Sequence, residues 1–137
     1  MHLLLLKVKM TKQEEMDLLF DKGIVAFNNK NFYDAHEYWE ELWTKYYFKD
    51  RLLIQGLIQV SVGYFHITNL NLNGAKGLFT KCLPKLEKFI LSNNRISNIN
   101  ELIIIINKAK LCVENIKEVN DFNWDYSIKL KQINYAT

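Results

Sequence analysis

The chain has 137 residues, enough for one domain with a single hydrophobic core. Its 49% hydrophobic and 24% charged residues are ordinary for a soluble globular protein. A net charge of +3, with the lysines scattered, argues against nucleic-acid binding. No apolar run approaches the roughly 20 residues of a membrane span. We therefore expect a soluble protein whose partner is a small molecule or a protein, with no membrane association. The expected location is the cytoplasm, or the plastid stroma if the gene is organellar.

The first ten residues show no helical periodicity, and we expect them to form an N-terminal arm (residues 1–10). Thr11 and Glu14 have the spacing of a capping box, which predicts that the first helix begins there. A polar turn at residues 28–31 then leads to a second helix that begins at Phe32 and runs to about Phe48.

The third predicted helix, about residues 51–70, is apolar on most sides, which is typical of a helix at the centre of a bundle. Pro84 should kink or interrupt the fourth helix. A fifth helix is expected over about residues 99–119. We expect one helical domain over residues 11–120, followed by a mostly polar tail (residues 121–137) with a single apolar anchor, Trp124.

These elements predict an all-α fold, a compact bundle of about five helices around a buried third helix. Part of the pattern occurs twice, which is typical of helix-hairpin repeats. Gly23, Phe27, Asn31 and Ala35 are matched forty residues later by Gly63, Ile67, Asn71 and Ala75. The two cysteines, Cys82 and Cys112, lie on apolar helix faces and are interpreted as free, buried thiols in a reducing compartment.

Polar residues that share one side of helices two and three form the most informative pattern. If the two helices make an antiparallel hairpin around Lys49, the polar shoulder of one can face the polar stripe of the other. The candidate cluster consists of His36, Glu37, Glu40, Arg51, Gln55, Gln59 and His66, and the aromatic residues beside it are Trp39 and Trp43.

Three interpretations of this cluster remain open. It can be a buried hydrogen-bond network that fixes the register of the helices. It can be a pocket for a small molecule or a peptide. It can also hold a divalent metal ion through His36, Glu40 and His66, since bundles build metal sites from facing helices. A zinc-protease site is not predicted, because Glu40 occupies the position of that motif's second histidine.

The chain resembles the family catalogued as domain of unknown function 309, small all-helical proteins with a His-Glu-x-Trp-Glu motif. The first block that carries the resemblance is Phe32-Tyr33-Asp34-Ala35-His36-Glu37-Tyr38-Trp39-Glu40-Glu41-Leu42-Trp43. The second is Ile54-Gln55-Gly56-Leu57-Ile58-Gln59. The resemblance covers about residues 15–92. It implies a compact all-α fold and no established activity, and the family's motif residues fall on the candidate cluster.

We therefore expect a non-catalytic ligand-binding or protein-interaction module that uses the cleft between helices two and three. The alternative is a metal-dependent or acid/base enzyme in which His36, Glu40 and His66 act together, with Glu40 or Glu37 as the general base.

Overall fold

The computed structural model describes residues 9–133, and most of this part of the chain is α-helical. The five helices are α1 (Lys12–Asn28), α2 (Phe32–Lys45), α3 (Arg51–Thr68), α4 (Leu72–Glu87) and α5 (Ile99–Asn115). A short 3₁₀ turn, Val119–Asp121, follows α5, and an isolated antiparallel bridge joins Ile96 to Gln132. The predicted all-α fold is confirmed. Most of the predicted N-terminal arm (residues 1–8), and the end of the predicted tail (residues 134–137), lie outside the described residues.

The start of α1 is the predicted capping box. The Glu14 N–H donates to Thr11 Oγ1 (3.1 Å), and the Thr11 N–H donates to Glu14 Oε1 (2.9 Å). The second bond also lowers the pKa of the Glu14 carboxyl, because the Thr11 N–H stabilises its charged form.

Each helix packs against its neighbours in the chain, in the order α1, α2, α3, α4, α5. This order places α3 in the middle, as predicted. Even so, none of the helices within residues 9–133 is both long and apolar enough to cross a membrane. The fully enclosed apolar side chains of α3 are Leu53, Ile54, Leu57, Val60 and Tyr64.

The α1–α2 hairpin and the α3–α4 hairpin have the same turn, forty residues apart. Lys30 and Leu70 occupy equivalent positions, and both have φ of 61°, in the left-handed region. The next residue is the N-cap of the second helix in each hairpin, Asn31 or Asn71. In each case its N–H donates over 2.8 Å to the carbonyl five residues earlier. The internal repeat in the sequence is therefore a structural repeat.

The two hairpins also share a close contact between a glycine and an aromatic ring. A Cβ atom on Gly23 would lie 2.0 Å from Trp39 Nε1, and one on Gly63 would lie 2.6 Å from Phe79 Cε1. The Trp39 indole is fully buried, and its N–H donates to the Phe20 carbonyl (3.1 Å). The repeated glycines therefore leave room for the ring of the helix that packs against them.

Three local expectations differ from the structure. Helix α2 ends at Lys45, earlier than predicted, because Tyr46 is extended (φ −126°, ψ 151°). Helix α5 ends at Asn115, where Ile116 is extended in the same way (φ −107°, ψ 155°). Helix α4 continues through Pro84, which is exposed, without the interruption that was one of the two expectations there.

The segment after α5 is more firmly packed than the sequence suggested. Trp124 is only half-buried, whereas Phe122 and Leu130 are almost fully buried. The expectation of a single anchor is therefore wrong, although the division into a domain and a tail stays a prediction. Both cysteines are free, and burial raises the pKa of the Cys82 thiol to about 12.

Candidate functional site

His36 and Glu40 form an ion pair on the outer side of α2, one helical turn apart. His36 Nε2 lies 2.9 Å from Glu40 Oε2, and His36 Nδ1 lies 3.0 Å from the Tyr33 carbonyl oxygen. The two ring nitrogens therefore both face oxygen atoms, one of a backbone carbonyl and one of a carboxylate. The side chains are 20% and 51% exposed, respectively, so the pair lies at the surface rather than in a closed core.

His66 belongs to a different feature, the turn between α3 and α4. The Asn71 side-chain amide lies 3.5 Å from His66 Nδ1, and its oxygen accepts the Gly74 N–H (2.8 Å). Within residues 9–133, no three His, Cys, Asp or Glu side chains are grouped so that they could hold a metal ion. In the structure His36 contacts Glu40, but His66 does not join them in the three-residue metal site that the sequence suggested. A metal ion at the His36–Glu40 pair would need its remaining ligands from water or from a partner.

Arg51, the first residue of α3, lies between two aromatic rings at the end of the α2–α3 hairpin. Its guanidinium carbon is 4.3 Å from the centre of the Trp43 ring and 5.2 Å from that of Tyr47. Arg51 Nη2 also donates to the Trp43 carbonyl over 2.6 Å, which satisfies one carbonyl at the end of α2. Tyr47 is 91% exposed, so one side of this stack faces solvent.

The polar residues on one side of α3 form a half-buried stripe. Gln55, Gln59 and His66 all show intermediate exposure. Within the described part of the chain, two enclosed side-chain atoms have no hydrogen-bond partner, Arg51 Nε and Gln59 Oε1. Both belong to this stripe, two helical turns apart. Enclosed polar atoms are nearly always satisfied in folded proteins, and ordered water commonly supplies such a partner.

The other candidate residues take different places. Trp39 is a core residue packed on Gly23, whereas Trp43 is half-buried and carries Arg51. Glu37 is exposed, and its hydrogen bond with the Tyr33 hydroxyl raises the pKa of that tyrosine. We give the name α2–α3 face to the partly exposed residues of the α2–α3 hairpin among these, His36, Glu40, Trp43, Tyr47, Arg51, Gln55 and Gln59.

Arg95, a residue that no sequence motif marks, holds the α2–α3 turn through Asp50. Its guanidinium makes two bonds to the Asp50 carboxylate, Nε to Oδ2 at 2.5 Å and Nη2 to Oδ1 at 3.1 Å. It also lies over the Phe20 ring, at 4.8 Å from the ring centre. A cavity of about 590 Å³ adjoins this pair, between α1, residues 49–50 and residues 92–95. None of the candidate cluster residues lines that cavity.

Comparison with known proteins agrees with the resemblance in the sequence. Residues 20–78 match the model of a family described as "Domain of unknown function (DUF309)". The matched segment runs from the second half of α1 to the first half of α4, and it contains both the candidate cluster and the turn of each hairpin. The family prediction is confirmed. Searches of curated proteins and of solved structures give no match to this chain.

Proposed function

We propose that this protein, whose residues 20–78 belong to the DUF309 family, is a non-catalytic interaction module that binds a partner protein through the α2–α3 face. The observation that carries the proposal is the stack of Arg51 between Trp43 and Tyr47, one side of which faces solvent because Tyr47 is 91% exposed. A partner protein can contact the atoms of this stack directly.

The residues around these atoms are of the kind that protein interfaces use. Arg51 is stacked between Trp43 and Tyr47, and arginine, tryptophan and tyrosine are the residue types enriched at the energetic centres of interfaces. Because the guanidinium is already held by Trp43, binding would cost less side-chain entropy than it would for a free arginine.

A non-catalytic role also agrees with the contacts of the two candidate bases, Glu40 and Glu37. Glu40 Oε2 lies 2.9 Å from His36 Nε2, and Glu37 is hydrogen-bonded to the Tyr33 hydroxyl. A general base must be able to take a proton from a substrate, and both carboxylates already have a partner within the protein. His66, the third member of the enzymatic alternative, lies at the α3–α4 turn.

Site-specific photo-crosslinking in the native host tests this proposal. A photoreactive amino acid at position 47 should give one discrete adduct, and the adduct should disappear when Arg51→Ala or Gln59→Ala is added. The matched control is the same amino acid at position 91, since Leu91 is 98% exposed but lies in the loop before α5. Equal adducts from both positions, or an adduct that is unaffected by Arg51→Ala and Gln59→Ala, would contradict a partner site on the α2–α3 face.

A further inference from the structure

Helices α2, α3 and α4 lie side by side, with α3 in the middle. Gly56 of α3 lies against α4, because a Cβ atom there would be 3.0 Å from Leu86 Cδ2. Phe65 is on the opposite side of α3, since the residues between them make roughly two and a half helical turns. The Phe65 ring lies 5.4 Å from the Tyr33 ring of α2, centre to centre. The three helices therefore form one layer.

The middle helix gives the outer surface of this layer a neutral centre. From Leu52 to Phe65, α3 contains no charged residue. The half-buried side chains in the middle of this helix are Gln55, Ile58, Gln59 and Val62. Interfaces between proteins have the same composition, with few charged residues at the centre and a polar rim.

The two flanking helices carry opposite charges. The exposed acidic residues of α2 are Asp34, Glu37, Glu40 and Glu41. On α4, Lys81, Lys85 and Lys88 have the spacing of one helix side, and all three are at least partly exposed. Glu87 of α4 lies about 100° or more around the helix axis from each of these lysines, so it does not belong to their row.

Most of these charges have no ionic partner within residues 9–133. In that part of the chain, the ion pairs involve none of Asp34, Glu41, Lys81 and Lys88. The Lys85 ammonium donates to the Lys81 carbonyl (3.2 Å) and not to a carboxylate. Like charges four residues apart weaken an isolated helix, so the lysine row needs an explanation other than the stability of α4.

The contacts between α2 and α3 fix the height of the acidic residues along α3. Tyr33 lies beside Phe65 at one end, and Trp43 lies beside Arg51 at the other, so the two helices are antiparallel. Counting along both helices places each acidic residue about level with one residue of α3: Asp34 with Val62, Glu37 with Gln59, and Glu41 with Ile54.

The contacts between α3 and α4 fix the height of the lysines in the same way. Gly56 lies beside Leu86, and Gly63 lies beside Phe79, with the same number of residues between the two contacts on each helix. The same counting places each lysine about level with one residue of α3: Lys81 with Ser61, Lys85 with Leu57, and Lys88 with Ile54.

Each acidic residue of α2 is thus within about two residues, or about 3 Å, of the height of a lysine on the other side of α3. A rotation of 180° about an axis parallel to α3 keeps these heights and exchanges the two sides. It would place the acidic row of one copy opposite the lysine row of another, and the neutral centre opposite itself. The layer is therefore self-complementary, as an interface between two identical chains requires.

We propose that the partner of the interaction module is a second copy of this chain, and that the two copies pair through this layer about a two-fold axis parallel to α3. The inference rests on the function proposed above, because the layer contains Glu40, Gln55 and Gln59 of the α2–α3 face. Across each rim the facing pairs are Asp34 with Lys81, Glu37 with Lys85, and Glu41 with Lys88 of the second copy. The neutral centre supplies the buried area, and the charged rims fix the orientation.

Sedimentation velocity of the full-length protein tests the pairing directly. A dimer is expected at protein concentrations up to about 100 μM in low salt, with a Kd in the micromolar range. The Kd should rise about 10-fold or more in 0.5 M sodium chloride, because salt screens the exposed rims. A monomer throughout this range, or a dimer whose Kd does not change with salt, would overturn the proposal.

Charge exchange between two variants tests which surfaces meet. Lys85→Glu with Lys88→Glu makes both flanking helices acidic, and Glu37→Lys with Glu41→Lys makes both basic. Each variant alone should be monomeric, with the circular dichroism spectrum of the wild type. A mixture of the two should form a heterodimer, because opposite charges then face each other across both rims.

The matched control changes the same number of charges elsewhere. Lys108→Glu with Lys110→Glu alters α5, which is not part of the layer, and should leave the dimer intact. Two folded variants that stay monomeric when they are mixed, or that each still dimerise, would overturn the proposal.

Cysteine crosslinking tests the position of the two-fold axis. Gln59→Cys lies near that axis, so a short bismaleimide should join the two copies into a covalent dimer. Leu111→Cys is the control, since Leu111 is 60% exposed but lies on α5. Equal yields of covalent dimer from both variants would mean random collision, and would contradict the axis.

The photo-crosslinking experiment at position 47 separates this inference from the function on which it rests. An adduct with the mass of two chains supports self-association. A monomeric protein that forms one discrete adduct with a different protein would overturn self-association, yet it would leave the α2–α3 face as a partner site.

Discussion

The α1–α2 and α3–α4 hairpins share a backbone design but differ in the side chains that their second helices turn outward. The turns match in φ and in hydrogen bonding, and each hairpin has a glycine beneath an aromatic ring. On α2, however, positions 36 and 40 hold the surface pair His36–Glu40, whereas on α4 the equivalent residues are Lys76 and Thr80.

The difference follows from what covers each helix. Helix α4 packs against α5, and Lys76 Nζ lies 3.7 Å from Glu114 Oε2 of that helix. No corresponding ion pair from α5 reaches His36 among the contacts of the described residues, and His36 pairs within α2. The comparison teaches that the repeated positions specify the fold, whereas the positions that differ lie nearer the surface and pair differently in the two hairpins.

The largest effect that tests this comparison is expected from alanine at the repeated glycines. Gly23→Ala should lower the free energy of unfolding by about 3 kcal/mol or more, because its Cβ would overlap the enclosed Trp39 ring. Gly63→Ala should cost about 1–3 kcal/mol, since the overlap with Phe79 is smaller. Urea denaturation followed by circular dichroism measures both values.

Gly77→Ala is the matched control, because no atom lies within 4 Å of a Cβ there. It should stabilise α4 by roughly 0.5–1 kcal/mol, the usual gain for this change within a helix. Trp39→Phe, which copies the second hairpin into the first, should restore part of the stability that Gly23→Ala removes. A Gly23→Ala protein as stable as Gly77→Ala would contradict the glycine–ring contact.

Alkaline pH should lower the free energy of unfolding through buried side chains of the α3–α4 hairpin more than through the equivalent side chains of the α1–α2 hairpin. Cys82 and Tyr64 lie in α4 and α3, and burial raises the pKa of both side chains, that of Cys82 from 9.0 to about 12. Their equivalents in the first hairpin, Leu42 and Ile24, do not titrate.

Above pH 9 the unfolded chain loses the Cys82 proton while the folded chain keeps it. The unfolded state then binds fewer protons, so the free energy of unfolding falls as the pH rises, by about 1 kcal/mol at pH 10. Thermal melts between pH 8 and pH 11 should show this slope for the wild type and a shallower one for Cys82→Ala. Identical slopes would show that Cys82 is not responsible.

A smaller, favourable effect is expected at the two turns. Leu70 has a left-handed backbone conformation and is exposed, so Leu70→Gly relieves strain without loss of packing. We expect a gain of roughly 0.5 kcal/mol after the greater freedom of glycine in the unfolded chain is included. Lys30→Gly should gain less, because Lys30 Nζ lies 5.5 Å from the centre of the Trp124 ring. A gain for Lys30→Gly as large as that for Leu70→Gly, or a lower melting temperature for Leu70→Gly than for the wild type, would contradict the strain at Leu70.

The smallest effect is expected for Glu40→Ala. The Glu40 side chain is half exposed, and its contact with His36 is a surface pair within one helix, so stability should change by less than about 0.5 kcal/mol. Glu41→Ala, an exposed neighbour, provides the comparison. A loss above 1 kcal/mol in chemical denaturation, seen only for Glu40→Ala, would argue for a closed network around His36.

Features that depend on neighbours in the sequence were predictable. The capping box, the repeat and the proximity of His36 to Glu40 all involve residues within a few positions, or copies of such a pattern. The relation of His66 to Glu40 was not predictable, because it depends on how α2 and α3 are rotated about their own axes.

Residues 122–133, the terminal segment, contain a sequence signal of their packing. Phe122, Trp124, Tyr126, Ile128 and Leu130 alternate with polar residues, which is a period of two. A count of polar residues hides this pattern and predicts a loosely anchored tail instead. The partners of its backbone, Asn28 and Asn98, lie far away in the sequence, and no local pattern connects them to it.

Helices that pack mainly on their neighbours in the chain can fray from either end of the bundle, one helix at a time. The hydrogen bonds between Asn28 and Leu130 span 102 positions and connect α1 to the terminal segment. The same segment is bonded to Asn98, the residue before α5. These bonds therefore connect α1 to the start of α5, and neither of these two outer helices can separate from the bundle while the bonds are intact. Cooperativity of unfolding in this protein then depends on a few amide groups at the two extremities of the bundle.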